Sequence, residues 1–331
     1  MKKVLLLLIL LKSVCLSAQV TYFKTNNYFL YFLTDTGFSS YDWRYEPLKT
    51  DVERGQLHGN VSKVVTTIID KTNRGFGELF NDTTYYDNNG NITKILAPKN
   101  DKFEPNIKFN PDSWTYTYNS KGVLTSYVWQ TEKLKRDNAI GVDKHVHTMV
   151  IDNQGRIIKE KYKAYERKGN NWSEFGGPND DTWSFKYDGN GKLIGGFEYL
   201  HRFNLTYQNG QLTKMLSAEQ GAKPVTFTYN ENGLMTKCIS YQLDEWDGDE
   251  FRYEYEVTMN YNNRGHVVSA TKNTWEHSPK WARIKIQNTE TYDVSYTYDD
   301  KGNWTKAVMF VKSKNEARKA IFTITRTISY R

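Results

Sequence analysis

The stretch Tyr86–Ile92, YDNNGNI, sets an aromatic residue, an Asp, a polar pair and a Gly ahead of an aliphatic residue two places on. The cassette returns as YNSKGVL from Tyr118, IDNQGRI from Ile151, YDGNGKL from Tyr187, YNENGLM from Tyr229, YNNRGHV from Tyr261 and YDDKGNW from Tyr298. An eighth copy, YQNGQL from Tyr207, is one residue shorter. Repetition on this scale decides architecture before any single side chain is considered.

Each copy reads as a β-hairpin. Six of the eight place an apolar-leaning residue two positions before the leading residue: Tyr116, Phe185, Leu205, Phe227, Met259 and Tyr296. A period of two puts those side chains on one face of a strand. In YDNNGNI the loop Asn88-Asn89-Gly90 places Gly where a type I turn with a G1 bulge needs a left-handed residue. Asp87 is expected to cap the turn through backbone N–H groups two residues on. The short copy has the loop Asn209-Gly210, the favoured type I′ pair. Both loops leave the leading aromatic opposite the trailing apolar residue, as Tyr86 with Ile92, Tyr207 with Leu212 and Tyr298 with Trp304.

The alternate positions are rich in hydroxyls, among them Thr115, Thr117, Thr226, Thr228, Ser295, Thr297 and Thr305. One aromatic face and one hydroxyl face describe an antiparallel sheet solvated on one side. The fold class is therefore all-β, a long antiparallel up-and-down meander of repeated hairpins, twisted and curled, with little or no helix. About eighteen strands are expected from Asn60 onward. Cassettes line one rim. Longer turns line the other, at Lys99–Asp112, Lys133–Asp143, Lys168–Asp181, Asp244–Asp249 and His277–Lys280. An open sheet of this size is expected to coil, with solenoid-like stacking or partial closure limiting its edges.

Residues 1–18 combine a basic start, a short apolar run and small residues near Ser17-Ala18, the pattern of a secretory signal cleaved after Ala18. The run is too short for a comfortable membrane helix, and no later segment is apolar enough to be an integral membrane segment. The expected location is outside the inner membrane: periplasm, outer surface or extracellular space. Cleavage would leave Cys238 as the single cysteine, so no intrachain disulfide is available. It would also reduce the formal charge of +7 by the three lysines Lys2, Lys3 and Lys12, leaving +4. Basic and acidic residues alternate without dense runs, which argues against a nucleic-acid partner. Residues 19–58 form an aromatic-rich cap or linker, and 59–331 a single repeat domain.

The Tyr-Asp-x-x-Gly-x-aliphatic cassettes resemble the YD repeats of the RHS-repeat family across roughly residues 80–310. The resemblance implies long spiralling β-sheets in exported or cell-surface proteins, some of them carbohydrate-binding. The uneven repeat spacing departs from that family, and cargo encapsulation is not expected.

Three sets of residues are chemical candidates. Asp143, His145 and His147 alternate in DKHVH, so a strand points all three to one face, as ligands for zinc or another divalent ion or as a polar strand face. The acidic turn around Asp244, Glu245, Asp247, Asp249 and Glu250 offers oxygen ligands without the spacing of an EF-hand loop. Trp172, Trp246, Trp275 and Trp281 sit in or beside the long-turn rim, where rings can stack on sugars, anchor a protein partner or stiffen the turns. No nucleophile elbow, P-loop, dinucleotide fingerprint or metalloprotease motif occurs, and no cofactor is expected. The expected function is a non-enzymatic exported scaffold whose long-turn rim binds a glycan or cell-surface protein. An envelope hydrolase or metal-dependent enzyme, or a purely structural spacer, are the alternatives.

Overall fold

The computed structural model describes residues 57–71, 80–98, 110–134, 140–175, 183–198, 201–217, 223–246, 249–277, 283–313 and 317–331. The expected signal segment and nearly all of the expected cap lie outside the described residues. Among the described residues there are nineteen strands and no helix. They run β1 (Val61–Asp70), β2 (Phe80–Tyr86), β3 (Ile92–Ala97), β4 (Asp112–Tyr118), β5 (Leu124–Leu134) and β6 (Ile140–Ile151). Next come β7 (Ile157–Lys168), β8 (Asn171–Phe175), β9 (Trp183–Tyr187), β10 (Leu193–Glu198), β11 (His201–Gln208), β12 (Gln211–Ser217) and β13 (Val225–Tyr229). β14 (Met235–Trp246), β15 (Asp249–Tyr261), β16 (Val267–His277), β17 (Arg283–Tyr298), β18 (Trp304–Ser313) and β19 (Lys319–Tyr330) complete the set.

All pairings are antiparallel, and all but two join chain neighbours. β7 pairs with β9 through Lys159↔Ser184 and Glu160↔Trp183, while its C-terminal half carries β8. β1 pairs with β19 from Val61↔Tyr330 to Asp70↔Phe322, and with β2 on its other side. The sheet therefore closes into a barrel of eighteen strands, with β8 attached to β7 as a flap. This corrects the expectation of a curled sheet with at most partial closure. Pairing the first strand with the last removes both edges, the costliest feature of so wide a sheet. Three expected long turns also shrink, since Asp143 lies within β6, β8 occupies part of the Lys168–Asp181 segment, and β14 and β15 take in Asp244–Trp246 and Asp249.

The cassettes fold as their residues require. In all seven long copies the backbone N–H of the second residue donates to the carbonyl of the sixth, as in Asp87 to Asn91 at 2.8 Å. The Gly N–H donates back to the second residue's carbonyl, and φ at those glycines lies between 72° and 86°. The Asp or Asn side chain accepts the backbone N–H four residues on, as Asp152 does from Arg156 at 2.9 Å. In the short copy Asn209 and Gly210 both have positive φ, 50° and 82°, as a type I′ turn demands.

A second bulge follows each trailing apolar residue and was not anticipated. Register shifts between Tyr85 and Tyr86, and again between Thr117 and Tyr118, leave Thr93 and Thr125 as extra residues. Their hydroxyls donate to the carbonyls of Tyr85 (3.3 Å) and Thr117 (3.0 Å). Inward positions are therefore the trailing residue and the one three places later: Ile92 and Ile95, Leu124 and Tyr127, Ile157 and Glu160. Bulges at regular intervals sharpen local twist, which helps a wide sheet to curl shut.

The seam repeats this plan with a break in the chain. Tyr330 pairs with Val61, Arg331 N–H donates to the Asn60 carbonyl at 2.9 Å, and Gly59 has φ 84°. The Ser62 hydroxyl donates to the Ser329 carbonyl at 3.0 Å, as the bulged threonines do. Tyr330-Arg331 and Gly59-Asn60-Val61-Ser62 thus form a ninth cassette in two pieces. Arg331 also donates to the carbonyls of Asp87 and Tyr86 in the neighbouring copy.

The core lines the cassette end of the interior and reaches the other end on β1, β18 and β19 through Ile68, Val311, Ile321 and Phe322. One cluster joins Ile92, Tyr116, Leu124, Met149, Phe227, Met235, Met259, Trp304, Met309 and Ile324 around the ring, and Met235 and Met309 are fully buried. Leading tyrosines lock successive hairpins together. The Tyr187 hydroxyl donates to the Ile157 carbonyl at 2.8 Å, and Tyr229 to that of Leu212 at 2.7 Å. Outward positions such as Thr115, Thr117, Thr228, Ser295 and Thr297 are exposed. An apolar interior with a hydroxyl exterior is the reverse of the pattern of a lipid-facing barrel.

Candidate functional site

Away from the cassettes, the inner wall on β4–β8 changes character. Three levels follow from the register. Tyr116, Tyr127, His147 and Tyr162 lie side by side, and above them Trp114, Trp129, His145, Ala164 and Phe175. The third level holds Thr131, Asp143, Glu166 and Ser173, with Asp112 one step beyond the Ser113↔Gln130 pair.

The rings stack across strands. Tyr127 and His147 have centroids 4.1 Å apart at 9°, Trp129 and His145 4.4 Å apart at 21°, and Trp114 and Trp129 6.0 Å apart at 4°. Strands are about 4.8 Å apart, so such rings turn their faces to one another and their nitrogen- and oxygen-bearing edges inward or along the wall. Phe175, on the flap, meets His145 edge-on at 6.4 Å and is 39% exposed.

Polar groups tie the stacks in place. His147 Nδ1 pairs with the carboxylate of Glu160, which also accepts from the Tyr127 hydroxyl at 3.3 Å. Glu160 is fully buried and reaches this position by the three-residue spacing after Ile157. His145 Nδ1 lies 2.7 Å from the Tyr162 hydroxyl. Burial pushes the His145 pKa below its ordinary value; Asp143 opposes this, and His147 and Lys133 add to it. Lys133 Nζ reaches Asp143 Oδ2 at 2.7 Å and lies 5.3 Å over the Phe175 ring. Three buried polar atoms at this lip make no hydrogen bond: Asp112 Oδ1, Asp143 Oδ1 and Trp129 Nε1.

Asp143, His145 and His147 do share one inward face. They do not converge on a metal geometry, since Glu160, Tyr162 and Lys133 engage them one by one. Among the described residues no group of three or more His, Cys, Asp or Glu is placed to hold a metal ion. The Cys238 thiol is no nucleophile either, because burial pushes its pKa up to about 12.

The proposed rim tryptophans divide differently. Trp172 lies on the outer face of β8, exposed, with Lys144 Nζ 4.5 Å above its ring. Trp275 lies on the outer face of β16 beneath the Arg283 guanidinium, 4.4 Å away. That guanidinium also binds Glu254 and Glu256, and Glu254 lies 3.0 Å from His277 Nε2, in an outer cluster of matched charges. Trp281, and the side chains of Trp246 and the acidic turn, lie outside the described residues. Reading the rim missed Trp114 and Trp129 on the inner wall, although Trp114 keeps strict alternation with Tyr116 and Tyr118.

No protein-family model matches the chain, and no curated protein matches it. Among solved structures it is similar to a porin-like protein from Bacteroides uniformis, with 13% identity over 81% of this chain and 98% of that one, TM-score 0.29. A porin-like protein from Bacteroides vulgatus aligns with 11% identity over 82% and 98%, TM-score 0.28. The TcdB2–TccC3–Cdc42 complex aligns with 12% identity over 74% of this chain and 18% of that one, TM-score 0.23. Superpositions this loose carry no argument about activity. Among the described residues no helix is long and apolar enough to cross a membrane.

Proposed function

We propose that this chain is an exported, non-catalytic YD-repeat-like barrel that binds a saccharide at the inner wall of its long-turn half. The observation that carries the reading is the lip of unpartnered, buried hydrogen-bonding atoms on Asp112, Trp129 and Asp143 beside partly exposed rings. Buried polar atoms are nearly always paired, and those that are not call for an explanation. A ligand rich in hydroxyls supplies both donors for the carboxylates and acceptors for the indole, while the exposed Phe175 ring offers an apolar face. Export is supported by the basic-apolar pattern of residues 1–18.

The test is a glycan array followed by calorimetry on the hit. Trp129→Ala should weaken binding at least tenfold, and Trp172→Ala, on the outer face, should leave it within twofold. Binding lost through Trp172 and indifferent to Trp129 would move the site to the outside and overturn the reading. A hydrolase is the second reading, favoured by the His147–Glu160 pair, in which a carboxylate orients a histidine as in general-base catalysis. Release of new reducing ends from the bound glycan, lost in His147→Gln, would establish it.

A further inference from the structure

The lip of the inner wall has a directional charge pattern that narrows the ligand, on the premise that the site is a saccharide site. Asp112 and Asp143 stand on β4 and β6, either side of Thr131 on β5. Two strand spacings place their backbones about 10 Å apart. Thr131 stands between them in the register and brings no charge, while Lys133, two residues on along β5, engages Asp143. Asp143 is 5% exposed, and its Oδ2 is drawn toward the β5 residue Lys133. Lys133 itself leans the other way, toward Phe175, and leaves Asp143 Oδ1 without a donor. Asp112 Oδ1, buried on the opposite side of Thr131, also lacks one.

We infer that the ligand carries a protonated primary amine, as an oligosaccharide of unacetylated hexosamine does, and that the ammonium bridges Asp112 Oδ1 and Asp143 Oδ1. Each carboxylate would reach about 2.8 Å to the one nitrogen, its side chain turning over Thr131 to do so. An ammonium brings three donors to this spot, whereas a hydroxyl brings one donor shared between two acceptors. The Trp129 N–H then donates to a ring or hydroxyl oxygen of the same sugar. A carboxylate-bearing saccharide is disfavoured, because it would bring acceptors to acceptors.

Calorimetry on the full chain with a glucosamine tetramer, its N-acetylated form and a neutral glucose tetramer, below the amine pKa, tests this. The amine form should bind at least tenfold tighter than either of the others, and its affinity alone should fall as salt rises. Asp112→Asn and Asp143→Asn should each remove that preference, with a near-ultraviolet circular dichroism spectrum unchanged from wild type as the control that the wall still folds, and Trp172→Ala, on the outer face, should leave the preference intact. Equal affinities with intact dependence on Trp129 would overturn the amine assignment and leave the saccharide site standing. Binding by none of the three, nor by any glycan on the array, would overturn both.

Discussion

The two rims of this barrel are made by opposite means. On the cassette rim the seven long turns and the seam share one hydrogen-bond plan, the short turn at Asn209-Gly210 keeps its own, and their side chains close the interior with methionine, leucine and aromatic rings. Toward the long-turn side the inner wall of β4–β8 carries carboxylates, a lysine and histidines beside its rings, while on β1, β18 and β19 the apolar cluster continues through Ile68, Val311 and Phe322. Uniform turns over an apolar interior hold the ring. On the proposed reading, recognition falls to the polar wall at the other end of β4–β8, as in folds whose sites sit on one end of a rigid scaffold.

Core truncation should show the largest contrast. Met309→Ala removes a fully buried side chain from the cassette half, and a loss of about 2–5 kcal/mol is expected from transfer and cavity terms together. Phe175→Ala, on the exposed flap of the other half, should cost less than about 1 kcal/mol. Urea titrations followed by tryptophan fluorescence measure both. A Phe175 loss as large as that at Met309 would show that the long-turn half is also core.

The next effect separates two classes of inner carboxylate. Asp82 on β2 is sealed in the wall, where its partners are the Thr84 hydroxyl at 3.2 Å and the nearby Thr66 and Arg326. Burial raises its pKa to about 6, against the smaller lowering effects of Thr84, Arg326 and Thr66. The unfolded value is near 3.9, so between about pH 4 and 6 the unfolded chain is ionised while the folded one holds its proton. Stability from this group is therefore present below pH 4 and lost as pH rises through 6. Asp82→Asn should raise stability at pH 8 by about 2–3 kcal/mol and have little effect at pH 4. A gain of equal size at both pH values would refute the burial account.

Much of this was legible in the residues. Gly90 and its counterparts announced three-residue loops, and Asn209-Gly210 announced the short one. Alternation in DKHVH placed Asp143, His145 and His147 on one face. What escaped notice depends on parity and on distance. The bulge after each trailing residue shifts the inward set by one, so strict period two from Ile157 puts Glu160 outside, and it arrives beside His147 only by the three-residue spacing. The segment HGNVSKVV at 58–65 matches NGNITKIL at 89–96 and was readable as the second half of a cassette. Its first half is Tyr330-Arg331, more than 260 residues away, and joining them requires the twist of eighteen strands to sum to a closed ring. No local pattern carries that sum. The tryptophans are a related case: proximity to a turn says which end of a strand a ring occupies, and only parity says which side of the wall.

The smallest expected effect is the sharpest probe of the ring itself. Gly122 and Gly169 both have positive φ, 75° and 63°, and a Cβ on either would meet nothing within 4 Å. Valine therefore imposes nearly the same backbone strain at both, about 1–2 kcal/mol. Gly122 sits in the cassette joining β4 and β5, two members of the ring, so its strain is relieved only by opening the barrel. Gly169 begins the turn from β7 to β8, and among the described residues β8 is paired with β7 alone. Releasing the flap relieves that strain while Lys159↔Ser184 and Glu160↔Trp183 keep the ring closed. Gly122→Val should lower global stability by the full amount. Gly169→Val should leave global unfolding within about 0.5 kcal/mol and instead speed amide hydrogen exchange from 171 to 175. If the two variants lose global stability equally, β8 belongs to the cooperative unit, and the division of the barrel into a structural end and a yielding end fails there first.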